Sequence, residues 1–174
     1  MVYCSAKMEI SGVLWINVVS FRGVSACNVD AKGRFALPTK YRESVGSMAR
    51  GRCVITIDTE DECLLLYTLP EWEEIEASLQ ALPSLNRKVR RIQRLLIGHA
   101  SECDLDSQGR LLLPAILREH AKVEKKLMLV GQGNKFEIWS EDNWSSQRQE
   151  CLAAGRSARE NDQEVPDELS SISV

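Results

Sequence analysis

The stretch "DAKGRFALP" at residues 30–38 returns as "DSQGRLLLP" at residues 106–114, 76 positions later. When residues 28–43 are aligned with 104–119, 7 of the 16 positions are identical. A weaker similarity follows, in which "CLLLYTLPEW" (63–72) aligns with "KFEIWSEDNW" (135–144). Two copies are fewer than the roughly three repeats that a solenoid needs. The duplication therefore predicts two similar half-domains that bury their apolar faces against each other.

Each copy predicts the same order of elements: strand, turn, strand, short helix, strand, turn, strand and helix. An Asp followed three residues later by a Gly is turn chemistry, because the carboxylate binds local backbone N–H groups and Gly accepts a positive φ. Pro38 and Pro114 end the short apolar runs and suit the first turn of a helix. Alternating apolar runs predict two hairpins, formed by residues 53–58 with 63–67 and by residues 126–131 with 135–139.

Two further helices are predicted between the halves. Residues 70–82 begin with Pro and a run of Glu, as helix N-termini prefer. In residues 83–100, Leu85, Val89, Ile92 and Leu96 recur at helical spacing and define one apolar face. The predicted organisation is a poorly ordered N-terminal extension (1–20), a first half (21–68), a helical linker (69–100), a second half (101–149) and an acidic, frayed or disordered tail (150–174).

Composition limits the class of protein. At 174 residues, with 44% hydrophobic and 27% charged residues, the chain is typical of a soluble globular protein. The six cysteines form no close CxxC pair, which argues against a zinc site, and their places in apolar runs predict a reduced, cytoplasmic interior. The apolar run at 12–20 is short and is followed by Arg22, so neither a signal peptide nor a membrane span is predicted.

The sequence lacks the groups of residues that catalysis or metal binding requires. His99 and His120 are the only histidines, and neither has a partner motif. Residues 104–109 match the first half of a calcium-binding loop, but Ala115 stands where the bidentate Glu is required. The sequence therefore predicts no catalytic residue, no metal site and no cofactor.

Two groups of cations are candidate binding residues. Arg34 and Arg110 follow the repeated turn, and Arg is the usual side chain for bidentate contact with guanine. The residues alone leave an alternative equally open, in which Asp30 and Asp106 form turn-stabilising ion pairs with these arginines. The second group, in the helical linker, either contacts DNA phosphates or is a solvated face paired with the Glu-rich residues 71–76. Its members are Arg87, Lys88, Arg90, Arg91 and Arg94.

The twin D-x-x-G-R phrases, "LPEWE", "RRIQRLLIGHASECDLD" and "LMLVGQGNKFEIW" resemble the MraZ family of bacterial proteins, from about Phe21 to Trp144. Family members typically start with Met at the position of Phe21, so residues 1–20 depart from the pattern. The resemblance implies an α+β fold in which two pseudo-symmetric AbrB-like half-repeats interlock as a swapped-hairpin β-barrel with flanking short helices.

The resemblance also implies a homo-oligomeric ring that binds double-stranded promoter DNA. Such a protein regulates transcription, mainly as a repressor, at direct repeats upstream of its own division and cell-wall operon, in the cytoplasm and nucleoid. The alternative is an oligomeric protein-interaction scaffold or antitoxin-like module without sequence-specific DNA binding. The family's D-x-x-x-R positions favour DNA contact by Arg34 and Arg110. Further candidates are Lys32, Arg42 and Arg118 for DNA contact, and Asp30, Gly33, Asp106 and Gly109 for organising the turns.

Overall fold

The computed structural model describes residues 20–83 and 85–160, in which the chain forms eight strands and five helices. The first half contains β1 (Phe21–Asn28), β2 (Arg34–Ala36), α1 (Thr39–Ala49), β3 (Arg52–Ile57) and β4 (Leu64–Thr68). The linker contains α2 (Leu69–Gln80) and α3 (Arg87–Leu96). The second half contains β5 (Ser101–Asp104), β6 (Arg110–Leu112), α4 (Ala115–His120), β7 (Lys126–Gly133), β8 (Lys135–Ser140) and α5 (Glu141–Glu160).

The predicted order of elements is confirmed in both halves. One compact unit extends through Glu141, and a second unit begins at Asp142 within α5. This helix continues past residue 150, where the acidic tail was predicted to begin. Residues 1–19 of the predicted extension and residues 161–174 of the predicted tail lie outside the described residues.

Strand pairing exchanges equivalent elements between the halves. Six strands form an antiparallel sheet in the order β1-β7-β8-β4-β3-β5, and β2 pairs with β6 in a separate two-stranded ribbon. The first strand of each half pairs with the third strand of the other half: β1 pairs with β7, and β5 pairs with β3. The two hairpins meet through β4 and β8. Each half therefore completes the other's sheet, and the α+β class is confirmed.

The predicted closure into a β-barrel is wrong, because the six-stranded sheet is open. Its edges are β1 and β5, and each of these strands has one neighbour in the sheet. The strands that could have bridged the edges, β2 and β6, are three residues long and pair with each other. Apart from one isolated bridge between Val29 and Phe35, the ribbon lies over the sheet without joining its edges.

The main apolar cluster fills the space between the ribbon and one face of the sheet. Ile55 on β3 and Leu66 on β4 point into it from the sheet, while Phe35 and Leu111 enter from the ribbon. Phe35, Ile55 and Leu111 have no exposed surface. The inner side of the ribbon is therefore buried in the core.

The opposite face of the sheet carries a second apolar cluster under the helical hairpin formed by α2 and α3. Val54, which alternates with Ile55 along β3, packs there with Trp72 of α2 and with Leu96 of α3. Because apolar groups cover both faces, β3 and β4 are almost continuous apolar runs rather than alternating ones. The ribbon and the helical hairpin therefore lie on opposite faces of the sheet.

Candidate nucleic-acid interface

A single carboxylate builds the turn before β2. Asp30 Oδ1 accepts hydrogen bonds from the backbone N–H groups of Lys32 and Arg34, both at 2.9 Å. The Gly33 N–H donates to the Asp30 carbonyl at 2.9 Å, and Gly33 has a φ of +81°. Only glycine adopts this positive φ without a steric cost. The turn chemistry predicted from the sequence is thus confirmed.

The turn before β6 has the same geometry. Asp106 Oδ1 accepts from the N–H groups of Gln108 and Arg110, both at 2.9 Å. The Gly109 N–H donates to the Asp106 carbonyl at 2.8 Å, and Gly109 has a φ of +74°. The two turns therefore match bond for bond, although their middle residues differ.

The second carboxylate oxygen of each turn holds an arginine. Asp30 Oδ2 accepts from Arg34 Nε at 2.8 Å and lies 2.7 Å from its Nη2, and the Asp106–Arg110 pair shows the same two distances. The hydrogen bond from the Arg34 side chain is the main cause that lowers the pKa of Asp30 to about 2. The corresponding bond lowers the pKa of Asp106. The turn-stabilising ion pairs considered from the sequence are present.

The ribbon brings the two turns onto one surface. Phe35 pairs with Leu111 at the centre of the ribbon, with both side chains buried. Because side chains alternate along a strand, Arg34 and Arg110 point to the outer face. Arg34 stands opposite Leu112 in the ladder, so the two arginines are diagonal neighbours on that face.

Each arginine keeps part of its guanidinium free. Nε and Nη2 face the aspartate, and among the described residues Nη1 has no hydrogen-bond acceptor. The side chains of Arg34 and Arg110 remain 29% and 27% exposed. Reading guanine takes two N–H groups of one guanidinium. The outer edges of Arg34 and Arg110 are therefore held in place and are open to a ligand.

The side chains of Arg42 and Arg118 each lie beside the turn of the opposite half. A Cβ added to Gly109 would lie 2.4 Å from Arg42 Nε, and one added to Gly33 would lie 3.1 Å from Arg118 Cζ. Arg42 Nε donates to the Leu37 carbonyl at 2.7 Å. Arg118 Nε is buried and has no partner among the described residues. Both side chains thus pack closely against the turns that carry Arg34 and Arg110.

Two other outward residues belong to the same surface. Lys32 is exposed in the first turn, at the position that Gln108 occupies in the second. Leu112 is 50% exposed on the outer face beside Arg34. Sequence reasoning missed Leu112, because an apolar run does not show which of its residues faces outward. It also missed the crossing of Arg42 and Arg118, although both are identical in the aligned copies.

The α3 cations are not brought to this surface. The end of α3 is fixed to the other side of the sheet, where Thr56 Oγ1 donates to the Leu96 carbonyl at 2.6 Å. All five cations are exposed: Arg87, Lys88, Arg90, Arg91 and Arg94. Among the described residues no ion pair joins them to the glutamates of α2, so the alternative in which this face pairs with that helix is not observed.

Within residues 20–83 and 85–160, no three His, Cys, Asp or Glu side chains converge on a position for a metal ion. Asp106, which matched a calcium loop in sequence, directs its carboxylate at backbone N–H groups and Arg110. None of the described helices has the length and apolar character needed to cross a membrane.

Comparison with known proteins matches most of the chain to one family. The model described as "MraZ protein, putative antitoxin-like" matches residues 20–95 and 96–164. A "Transcriptional regulator MraZ" from Legionella pneumophila (strain Corby) is 49% identical over 154 residues, which cover 88% of this chain and 99% of that protein. Proteins of the same name are 51% identical in Hydrogenovibrio crunogenus (88% and 98% covered) and 55% identical in Thioalkalivibrio sulfidiphilus (75% and 86% covered).

Proposed function

The chain belongs to the MraZ family, and on this basis we propose that it is a transcriptional regulator that binds double-stranded promoter DNA sequence-specifically. Relatives named as transcriptional regulators, aligned over almost their whole length, support the regulatory role. The observation that carries DNA binding is the pair of oriented arginines, Arg34 and Arg110, on the outer face of the ribbon.

The two-stranded form of the ribbon suits such binding. The major groove of B-DNA admits a two-stranded β-ribbon, and Arg donates to guanine O6 and N7 through two N–H groups. Asp30 and Asp106 fix the arginines before DNA arrives, so less side-chain freedom is lost on binding. Lys32, exposed in the first turn, adds a charge that suits a neighbouring phosphate.

The proposal extends to the target and the assembly. The chain acts mainly as a repressor of its own division and cell-wall operon, in the cytoplasm and nucleoid, by binding direct repeats upstream of that operon. It does so as a ring of identical subunits. Several modest contacts, each made by one subunit, then combine through effective concentration. The support for this finer description is the sequence resemblance together with two arginines in each subunit.

Replacement of the two arginines tests DNA contact. We expect Arg34→Ala or Arg110→Ala to weaken operator binding by about 1–3 kcal/mol for each lost base contact. Arg→Lys should restore little, because Lys keeps the charge and loses the two-pronged contact. The measurement is a fluorescence-anisotropy titration with DNA from upstream of the chain's own gene and with a scrambled duplex, at fixed salt.

Arg52→Ala is the matched control. Arg52 forms an exposed pair with Glu102 at 2.8 Å, on the side of β3 that carries Val54 rather than Ile55, away from the ribbon. Its replacement removes an Arg–carboxylate pair of similar length and should leave operator affinity unchanged. An Arg34→Ala, Arg110→Ala protein that binds operator as tightly as wild type would contradict the proposed role of the ribbon.

A protein-binding module is the second candidate function. The unpaired charges on α2 and α3 favour it, since exposed clusters of one sign suit a partner of the opposite sign. The salt-dependent titration separates the candidates. A protein-binding module would bind operator and scrambled duplex equally, whereas a sequence-specific regulator prefers the operator at every salt concentration.

A further inference from the structure

The helical hairpin of α2 and α3 is strongly divided in charge. Helix α2 carries Glu71, Glu73, Glu74 and Glu76 and no base, whereas α3 carries five bases and no acid. In the described part of the chain, none of these α2 or α3 side chains forms an ion pair. Two consecutive helices thus carry opposite charges that, among the described residues, do not pair with each other.

One stripe of α2 forms a shallow apolar groove with an acidic margin. The groove is lined by Glu71, Glu74, Ile75, Ser78, Leu79 and Leu82. These positions recur at helical spacing, so they lie on one face of the helix. Leu82 is exposed at the end of the stripe. The groove is therefore suited to an apolar side chain that is accompanied by positive charge.

Helix α3 presents that combination. Arg87, Arg90, Arg91 and Arg94 recur at the same spacing and form a basic stripe. No α3 residue is buried, Ile92 is 40% exposed, and Leu85 just before the helix is 94% exposed. Leu85 therefore offers an exposed apolar side chain directly before a row of bases that form no ion pair in the described part of the chain.

We infer that the acidic groove of α2 in one subunit binds the basic α3 segment, with Leu85, of a second copy of this chain. The two surfaces are complementary in charge: one chain supplies both the acidic groove and the basic segment, and neither forms an ion pair within the described part of that chain. The inference rests on the proposed homo-oligomer and names its contact surface. Since the hairpin lies across the sheet from the ribbon, assembly through it leaves Arg34 and Arg110 free for DNA.

Charge reversal tests the contact in both directions. A groove variant (Glu71→Lys, Glu74→Lys) and a stripe variant (Arg87→Glu, Arg90→Glu, Arg91→Glu, Arg94→Glu) should each weaken subunit association by roughly 10- to 100-fold. Combining both sets of changes in one chain restores opposite charges between copies and should restore assembly. The matched control, Glu73→Lys with Glu76→Lys, makes the same charge change on the other side of α2 and should keep the wild-type mass.

Leu85→Ser supplies a test without charge. Because Leu85 is almost fully exposed in a single chain, its replacement cannot remove core packing, yet it should weaken association by roughly 10-fold or more. Mass is measured by light scattering across a dilution and salt series, and circular dichroism checks that every variant is folded. Wild-type assembly should weaken at high salt, since the contact is charged.

Each outcome has a defined meaning. A wild-type chain that is monomeric at micromolar concentration overturns both the homo-oligomer and this contact. A wild-type oligomer whose mass survives both reversals, or whose control dissociates equally, overturns the contact alone. A stripe variant that keeps its mass but loses affinity for operator and scrambled duplex alike shows that the cations bind DNA phosphates instead, and leaves the regulatory function standing.

Discussion

Exchanging Gly109 and Gly33 for alanine should have unequal effects, although the two glycines are equivalent in the repeat. Both have a positive φ, +74° at Gly109 and +81° at Gly33, so both changes strain the backbone. The surroundings differ. A Cβ at position 109 would lie 2.4 Å from Nε and 2.6 Å from Cδ of Arg42, while a Cβ at position 33 meets nothing closer than 3.1 Å.

The magnitudes follow from these contacts. Left-handed backbone costs an L-residue about 1–2 kcal/mol, which applies to both changes. At position 33 the neighbours need to shift by only a few tenths of an ångström. At position 109 the Arg42 side chain must move and break its 2.7 Å hydrogen bond to the Leu37 carbonyl. That loss adds about 1.5 kcal/mol, the lower end for a charged donor, because half-buried Arg42 can turn to water.

We therefore expect the free energy of unfolding to fall by about 1–2 kcal/mol in Gly33→Ala and by about 3 kcal/mol in Gly109→Ala. The assay is urea denaturation at one fixed protein concentration, because association shifts apparent stability. In an Arg42→Ala background, Gly109→Ala should cost about 1–2 kcal/mol, so the double-mutant cycle isolates the clash. Equal costs at both glycines, or a cycle without coupling, would refute the reasoning.

Three other predictions follow from single side chains. The pair of Asp30 with Arg34 stabilises the fold at pH values above the unfolded carboxyl pKa of about 3.9. This contribution should be lost as the pH falls through the folded pKa of about 2. Asp30→Asn should therefore reduce the acid-side pH dependence of the free energy of unfolding, measured by urea denaturation at a series of pH values. In a Cys4→Ser protein, a thiol reagent should modify exposed Cys151 quickly and Cys53 only on unfolding, because burial raises the pKa of Cys53 to about 12. If the ribbon enters the major groove as proposed, outward-facing Leu112 would meet thymine methyl groups, so Leu112→Ala should weaken operator binding several-fold with no loss of thermal stability. Ile116→Ala, which changes an exposed residue of α4, should alter neither property.

The order of elements could be predicted because its signals are local. Each turn depends on its own Asp and Gly, which act on backbone groups only a few residues away. The Pro that ends each short strand acts over an equally short range. The Asp30–Arg34 pair was likewise within reach, since both partners belong to one turn. Periodicity also located α3, but it could not show that Leu85 stays exposed. A repeat of apolar positions predicts a face and does not identify what covers it.

Barrel closure and the crossed arginines depend on non-local pairing. Whether the sheet closes is decided by the partners of two three-residue strands, and these partners lie 76 positions away in the chain. The same holds for Arg42, whose neighbour Gly109 belongs to the other half. Propensity and spacing carry no information about such partners. The duplication did predict that the halves would meet, and left open which strands would pair.

The two halves are similar but not identical, and the difference bears on the proposed target. A DNA-binding protein with strict two-fold symmetry binds inverted repeats, because the symmetry of the operator mirrors that of the protein. Direct repeats instead require that a subunit distinguish the two directions of its site. The outer face of the ribbon offers that distinction: Leu112 stands opposite Arg34, whereas the smaller Ala36 stands opposite Arg110. Duplication thus supplies two equivalent arginines, and the divergence of their neighbours gives the surface a direction.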